Sequence, residues 1–244
     1  MVKKKDEIRR RVWDILERAN VAAFPRPVVG RIPNFKGAEE ACARLRSTRV
    51  WASARVVKIN PDAPQRPCRE AALAEGKILI MPTPRIRNGF LLLDPRRIPP
   101  SAFRRASTIS GAFEHGASVR PWDLPPVDLA VIGSVAVNPR TGARLGKSHG
   151  YAELEWGILT ALGKAAASTP VATTVHELQL VDDDIPREPF DLPIDVVATP
   201  ARVIEVGAAD KPLGVLWDYL DEALLRDVPL LAELRARLGG RGRL

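Results

Sequence analysis

Residues 142–151 read Gly142-Ala143-Arg144-Leu145-Gly146-Lys147-Ser148-His149-Gly150-Tyr151, and they follow the apolar run Asp128-Leu-Ala-Val-Ile-Gly-Ser-Val-Ala-Val137. The apolar run has the length and composition of a buried strand, and a helical pattern begins at Tyr151. Strand, glycine-rich turn and helix start is an arrangement that cradles phosphate. Glycine lets backbone N–H groups approach an anion, and a helix N-terminus adds free donors and the positive end of a dipole. Arg144 and Lys147 supply cations, and Ser148 and His149 supply hydrogen-bonding side chains. The spacing matches neither the Walker loop nor a dinucleotide fingerprint. Two readings stand on these residues alone: an anion-binding loop, or a basic surface loop that ends in a helix cap.

Outward from the loop, helical and strand patterns alternate, which predicts an α/β fold. Residues 5–19 place Ile8, Val12, Ile15 and Leu16 on one helical face. Pro25, Pro27 and Pro33 impose an irregular segment, and Gly37 precedes a helix at 38–47. Residues 50–59 alternate like a strand. Residues 69–75 form a short helix stopped by Gly76, 77–81 a buried strand closed by Pro82 and Pro84, and 89–93 another short strand. A strand at 127–137 leads to the loop and a helix at 151–167 leaves it. Strands at 170–175 and 194–198 complete a parallel-type set, with 203–206 as an edge. After Asp210, residues 213–225 and 230–238 read as a helical hairpin broken at Pro229. The expected organisation is an α/β domain at 1–209 and a helical extension at 210–244 with a flexible basic end.

The 244-residue chain, 45% hydrophobic and 27% charged, has the composition of a soluble globular protein. No apolar run approaches the roughly 20 residues of a membrane span. The start, Met-Val-Lys-Lys-Lys-Asp-Glu, carries no secretory pattern, so a cytoplasmic location is expected. Cys42 and Cys68 are too few and too isolated for a disulfide framework or a zinc site, and read as two buried thiols. The net charge of +8 attracts polyanions. Its clusters are Lys3-Lys4-Lys5, Arg9-Arg10-Arg11, Arg85 and Arg87, Arg96-Arg97, Arg104-Arg105, and the arginines from Arg235 to Arg243. They suit either small anionic ligands or RNA, but lack the interleaved aromatics of a single-strand platform.

The stretch Gly142-x-Arg144-Leu145-Gly146-x-x-x-Gly150-Tyr151 after a strand resembles the nucleotide loop of the 5-formyltetrahydrofolate cyclo-ligases (methenyltetrahydrofolate synthetases). Phe24-Pro-Arg-Pro27, Arg31-Ile-Pro-Asn-Phe-Lys-Gly37 and the Gly-Tyr-Ala-Glu-Leu-Glu continuation after His149 are similar to the divergent branch of methenyltetrahydrofolate synthetase domain-containing proteins. Lys5 and Arg9 fall in the family's N-terminal cationic pattern. Leu178-Gln-Leu180 and the 185–195 segment resemble its later motifs. The likeness spans roughly residues 5–205.

That resemblance implies a three-layer α/β/α sandwich with a mostly parallel sheet, ATP and Mg²⁺ as cofactors, and a folate or related pterin as substrate. ATP phosphorylates the formyl oxygen of the substrate, and a neighbouring nitrogen then displaces phosphate to close a ring. Such chemistry asks the protein for positioning and charge neutralisation. The implied ATP-binding residues are Lys5, Arg9, Gly142, Arg144, Leu145, Gly146, Lys147, Ser148, His149 and Gly150. Tyr151 is implied at the substrate, Glu153 and Asp191 at Mg²⁺, with Asp195 in reserve. The chain departs from the family pattern at Ser148, Ala152, Glu153 and Leu154, where the family has glycine, tyrosine, aspartate and arginine. No counterpart of the family's folate-contacting glutamate is evident at 61–70. Two functions follow: an ATP-dependent cyclo-ligase, or a nucleotide-fold protein without that activity that binds RNA or a ribonucleoprotein.

Overall fold

A computed structural model of the chain describes residues 2–207 and 210–239. The helices are α1 (Val2–Arg18), α2 (Ala38–Arg46), α3 (Arg49–Ser53), α4 (Arg66–Ala74), α5 (Phe103–Ala106), α6 (Ile109–His115), α7 (Tyr151–Ala161), α8 (Glu222–Asp227) and α9 (Leu230–Gly239). The strands are β1 (Val56–Ile59), β2 (Ile78–Pro82), β3 (Phe90–Leu93), β4 (Ala117–Val119), β5 (Leu129–Val131), β6 (Ala136–Val137), β7 (Arg144–Leu145), β8 (Val171–Thr174), β9 (Val196–Ala198) and β10 (Val203–Glu205). Eight strands form one sheet in the order β10-β9-β8-β5-β1-β2-β3-β4, and β6 pairs with β7 in a separate ribbon. The five strands from β9 to β2 are parallel, while β10, β3 and β4 are antiparallel edges.

Strand alternation divides the core into two layers. Leu79 and Met81 of β2 and Leu129 and Val131 of β5 pack with Leu45, Trp51 and Leu73 on one face. Ile80 and Ala130 point the other way, to Trp156, Ile158 and Leu159 of α7 and to Leu231 and Leu234 of α9. Helices therefore cover both faces, the three-layer sandwich expected. A smaller cluster joins Ile8, Val12 and Leu16 of α1 to Ala136 and Leu145 of the ribbon.

Local chemistry overrides pattern in several places. The expected strand at 50–59 begins as helix α3, because Thr48 Oγ1 accepts the N–H of Trp51 as an N-cap. The expected strand at 127–137 is two elements, β5 and β6, with Gly133 between them in a position too tight for a side chain. Helix α7 stops at Ala161, well before residue 167. Of the stretch 213–225, only α8 and a single turn at Trp217–Tyr219 are helical. Cys42 of α2 and Cys68 of α4 are joined as a disulfide, with Cα atoms 5.5 Å apart, rather than being separate thiols. The two helices pack side by side, which brings together cysteines 26 residues apart. The expected flexible basic end, with Arg241 and Arg243, lies outside the described residues.

Candidate functional site

The sheet order reverses between β1 and β5: the chain runs from β1 to its neighbour β2, then later from β5 outward to β8 on the other side. In such sheets the crevice beyond the carboxyl ends of the two diverging strands is the natural ligand position. A cleft of about 920 Å³ occupies it. Asn60 and Asp62 follow β1, Gly133 follows β5, and Thr83 and Arg85 follow β2 along its lining. The 142–151 segment closes one side, contributing Arg144, Lys147, His149, Gly150 and Tyr151 to the cleft, with Glu153 beyond them.

The loop is held by its own residues. Gly142 sits at φ +71°, and a side chain there would meet the carbonyl of Ile194 at 2.5 Å. Leu145 anchors the ribbon in the cluster under α1. Arg144 is 5% exposed; its Nη1 donates to the Gly133 carbonyl at 2.8 Å and its Nη2 pairs with Glu153. Its Nε is buried with no acceptor among the described residues. Ser148 and Gly150 both have positive φ. The N–H groups of Lys147, Ser148, His149 and Gly150 meet no protein acceptor among the described residues. Gly150 then caps α7 without a side-chain bond, so the helix end is also open. An orphan guanidinium N–H and a row of unpaired amides fit an anion of several oxygens.

Lys147 Nζ lies 3.1 Å from Asp62 Oδ1. The His149 and Tyr151 rings stack with centroids 6.2 Å apart. Burial, followed by the nearby charges of Lys147 and Arg85, holds the His149 imidazole below its usual pKa.

Lys5, Arg9 and Asp191 gather beside the loop rather than along the cleft lining. Arg9 Nε donates to the Gly146 carbonyl at 2.7 Å, and Lys5 Nζ is 2.5 Å from Asp191 Oδ2. Asp6 links the two sides, accepting from Arg9 and, at 3.4 Å, from Ser148 Oγ. Helix α1 therefore clamps the loop through a backbone carbonyl.

Sequence reasoning missed the opposite wall. Asp62, Arg66 and Arg69 line the cleft from the 61–70 segment, for which no role was assigned. Arg69 is buried, donates to the carbonyls of Asn60, Asp62 and Ser107, and desolvation pushes its pKa down to about 9. Glu155 of α7 also borders the cleft and pairs with the equally buried Lys58 of β1. Burial pushes the Glu155 carboxyl up, against the pull of the Lys58 ammonium. The available signal was the string Asn60-Pro-Asp-Ala-Pro-Gln65, a turn directly after a strand.

Among the described residues no group of three metal-ligating side chains is assembled. Mg²⁺ needs only one or two protein carboxylates and keeps several waters. Glu153 meets that need at the cleft edge, with its charge shared by Arg144. Asp191 is held by Lys5 and accepts the N–H of Glu188. Asp195 stands at the opposite end of the sheet, where it accepts the N–H of Val171 and pairs with Lys211, so it serves the strand ends instead.

A second cavity of about 260 Å³ adjoins the loop on its other side. His149, Gly150 and Glu153 border both spaces.

A glycine-rich loop over a switch-point crevice, in a sheet covered by helices on both faces, defines a three-layer α/β class of protein. The profile of the 5-formyltetrahydrofolate cyclo-ligase family matches residues 1–200. The chain belongs to that family. It is 42% identical over 241 residues to the methenyltetrahydrofolate synthase domain-containing protein of Mus musculus, covering 96% of this chain and 63% of that protein. The Homo sapiens protein of the same name is 39% identical, with 96% and 62% covered. The chain thus spans just under two thirds of the length of these relatives. A 5-formyltetrahydrofolate cyclo-ligase from Mycolicibacterium smegmatis is 30% identical over 106 residues, 42% of this chain and 50% of that one. The solution structure of the Aquifex aeolicus 5,10-methenyltetrahydrofolate synthetase superposes with a TM-score of 0.50 at 22% identity, covering 82% of this chain and 92% of that one, and shares the fold. No helix among the described residues is long and apolar enough to cross a membrane.

Proposed function

We propose that this chain is an ATP- and Mg²⁺-dependent cyclo-ligase that converts 5-formyltetrahydrofolate, or a related pterin, to its 5,10-methenyl form. The observation that carries the reading is the unpaired row of loop amides at 147–150 along the rim of the switch-point cleft, in a loop whose Arg144 Nε is also without an acceptor among the described residues. In the reaction the formyl oxygen attacks the γ-phosphorus of ATP and ADP departs. The adjacent N–H nitrogen then attacks the activated carbon, its proton passes to solvent, and phosphate leaves. Lys147 and the open end of α7 neutralise the transferring phosphate, and Arg144 fixes the loop and Glu153. Glu153, with Asp191 as the second carboxylate, would hold Mg²⁺, and the ion would supply charge neutralisation at the phosphates. In the larger cleft, Asp62 offers carboxylate acceptors to pterin N–H groups, and Tyr151 offers a ring for stacking. In this reading the α/β part, residues 1–209, carries the reaction, and residues 210–239 of the extension pack beside α7.

Incubation with MgATP and 5-formyltetrahydrofolate, followed by the absorbance of the methenyl product, tests the reading directly. Absence of product from protein that binds both compounds overturns it. An RNA partner is the second reading, and it rests on the net charge of +8. It ranks lower because Arg96, Arg105 and Arg120 already pair with Asp94, Glu114 and Glu233. Arg235 and Arg237 lie over the Trp217 and Trp122 rings at 5.5 and 3.9 Å.

A further inference from the structure

The smaller cavity differs in chemistry from the cleft beside it. Its walls are Leu154 and Trp156 of α7, Phe190, and Leu216, Tyr219 and Leu220 from the segment that follows the α/β core. The family match ends at residue 200, so half of this wall comes from chain beyond the matched region. The segment is seated firmly. Trp156 Nε1 donates to the Pro212 carbonyl at 2.7 Å, and the Gly214 N–H donates to Thr160 Oγ1 at 2.8 Å. Gly157 makes the approach possible, since a side chain there would meet the Gly214 carbonyl at 2.7 Å. Leu154 occupies the position where the family loop pattern has arginine, which leaves that cation out of a wall that also carries Ser148, Glu153 and Asp221.

We propose that this cavity receives the purine base of the nucleotide whose phosphates lie on the 146–150 loop. The inference rests on the ATP-binding part of the reading above. Three observations carry it. His149, Gly150 and Glu153 border both spaces, so a phosphate chain on the loop has one end at each. At about 260 Å³ the smaller space suits a flat base and excludes a pterin with its aminobenzoyl tail, while the larger, at about 920 Å³, accepts the latter. The Phe190 and Tyr219 rings meet edge to face with centroids 5.4 Å apart, a corner of aromatic surface suited to a purine. Binding there brings the base against residues 212–224, which makes that segment part of the nucleotide site.

Calorimetry of the full chain with MgATP and with Mg-tripolyphosphate separates base from phosphate. The unaltered protein should bind ATP more tightly than tripolyphosphate. Tyr219→Ala, which removes a ring, and Leu216→Trp, which fills the space, should each weaken ATP by about tenfold, the scale of one base stacked on an aromatic side chain. Tripolyphosphate affinity should stay within about twofold, since no stacked base is lost. Equal affinity of the unaltered protein for the two ligands, or variants that bind ATP as before, overturns the base pocket and leaves the cyclo-ligase reading standing. Failure of the unaltered protein to bind either ligand removes both.

Discussion

The Nζ of Lys58 donates to the Glu155 carboxylate inside the cleft wall, joining β1 to α7 with both side chains almost free of solvent. Lys58 also reaches Asn60 Oδ1 at 2.7 Å. Removing one partner leaves a buried charge uncompensated. Glu155→Gln should therefore lose about 3–5 kcal/mol of stability, whereas Lys58→Met with Glu155→Leu should lie much closer to the parent. Urea unfolding of the three proteins measures both. A single variant as stable as the parent contradicts the expectation.

Lys147 is the loop cation with the most exposed side chain, 37%, against 1% for Arg144. Lys147→Met should weaken MgATP binding by about 1.5–3 kcal/mol, the scale of a charge-assisted hydrogen bond. It should leave the melting temperature unchanged. Calorimetry that finds the parent affinity removes Lys147 from the phosphates.

His149 titrates below the usual imidazole range, because burial and the cations Lys147 and Arg85 disfavour its charged form. The folded value is the lower one, so its contribution to stability is present above the unfolded pKa and is lost as pH falls through the folded pKa. An anion on the loop reverses this bias. Proton NMR of the imidazole should show the midpoint rising when tripolyphosphate is added, and a midpoint that stays put places the anion elsewhere.

Gly157→Ala gains about 1 kcal/mol of helix propensity yet places a methyl against the Gly214 carbonyl. Crowding of this kind costs about 1–3 kcal/mol. The variant should melt lower and exchange amide hydrogens faster across 212–224, with the sheet amides unaffected. Uniform protection in both proteins argues against the close approach.

The α/β alternation and the loop were legible because both are local. Apolar runs mark β2, β5 and β8, and three glycines with two cations mark the turn before α7. What the chain hid depends on distance or on competition. Residues 50–53 carry strand-like residues, but the Thr48 cap turns them into α3. Strand β4 has three residues and an exposed, edge position, too little for any period to register. Lys5 and Arg9 show charge on a helix, and only the fold reveals Arg9 gripping the Gly146 carbonyl across the chain. Asp62, Arg66 and Arg69 carry no spacing signal, since their convergence with Lys147 is made by the crossover from β1 to β2. The Cys42–Cys68 bridge joins two helices that pattern alone leaves unpaired.

His149, Gly150 and Glu153 form a common partition between the two cavities. A compound that reorders these residues from either chamber changes the affinity of the other, and thermodynamic linkage requires the factor to be the same in both directions. A compound seated among Trp156, Phe190 and Tyr219 that displaces this partition therefore needs no overlap with whatever fills the larger cleft in order to alter its affinity.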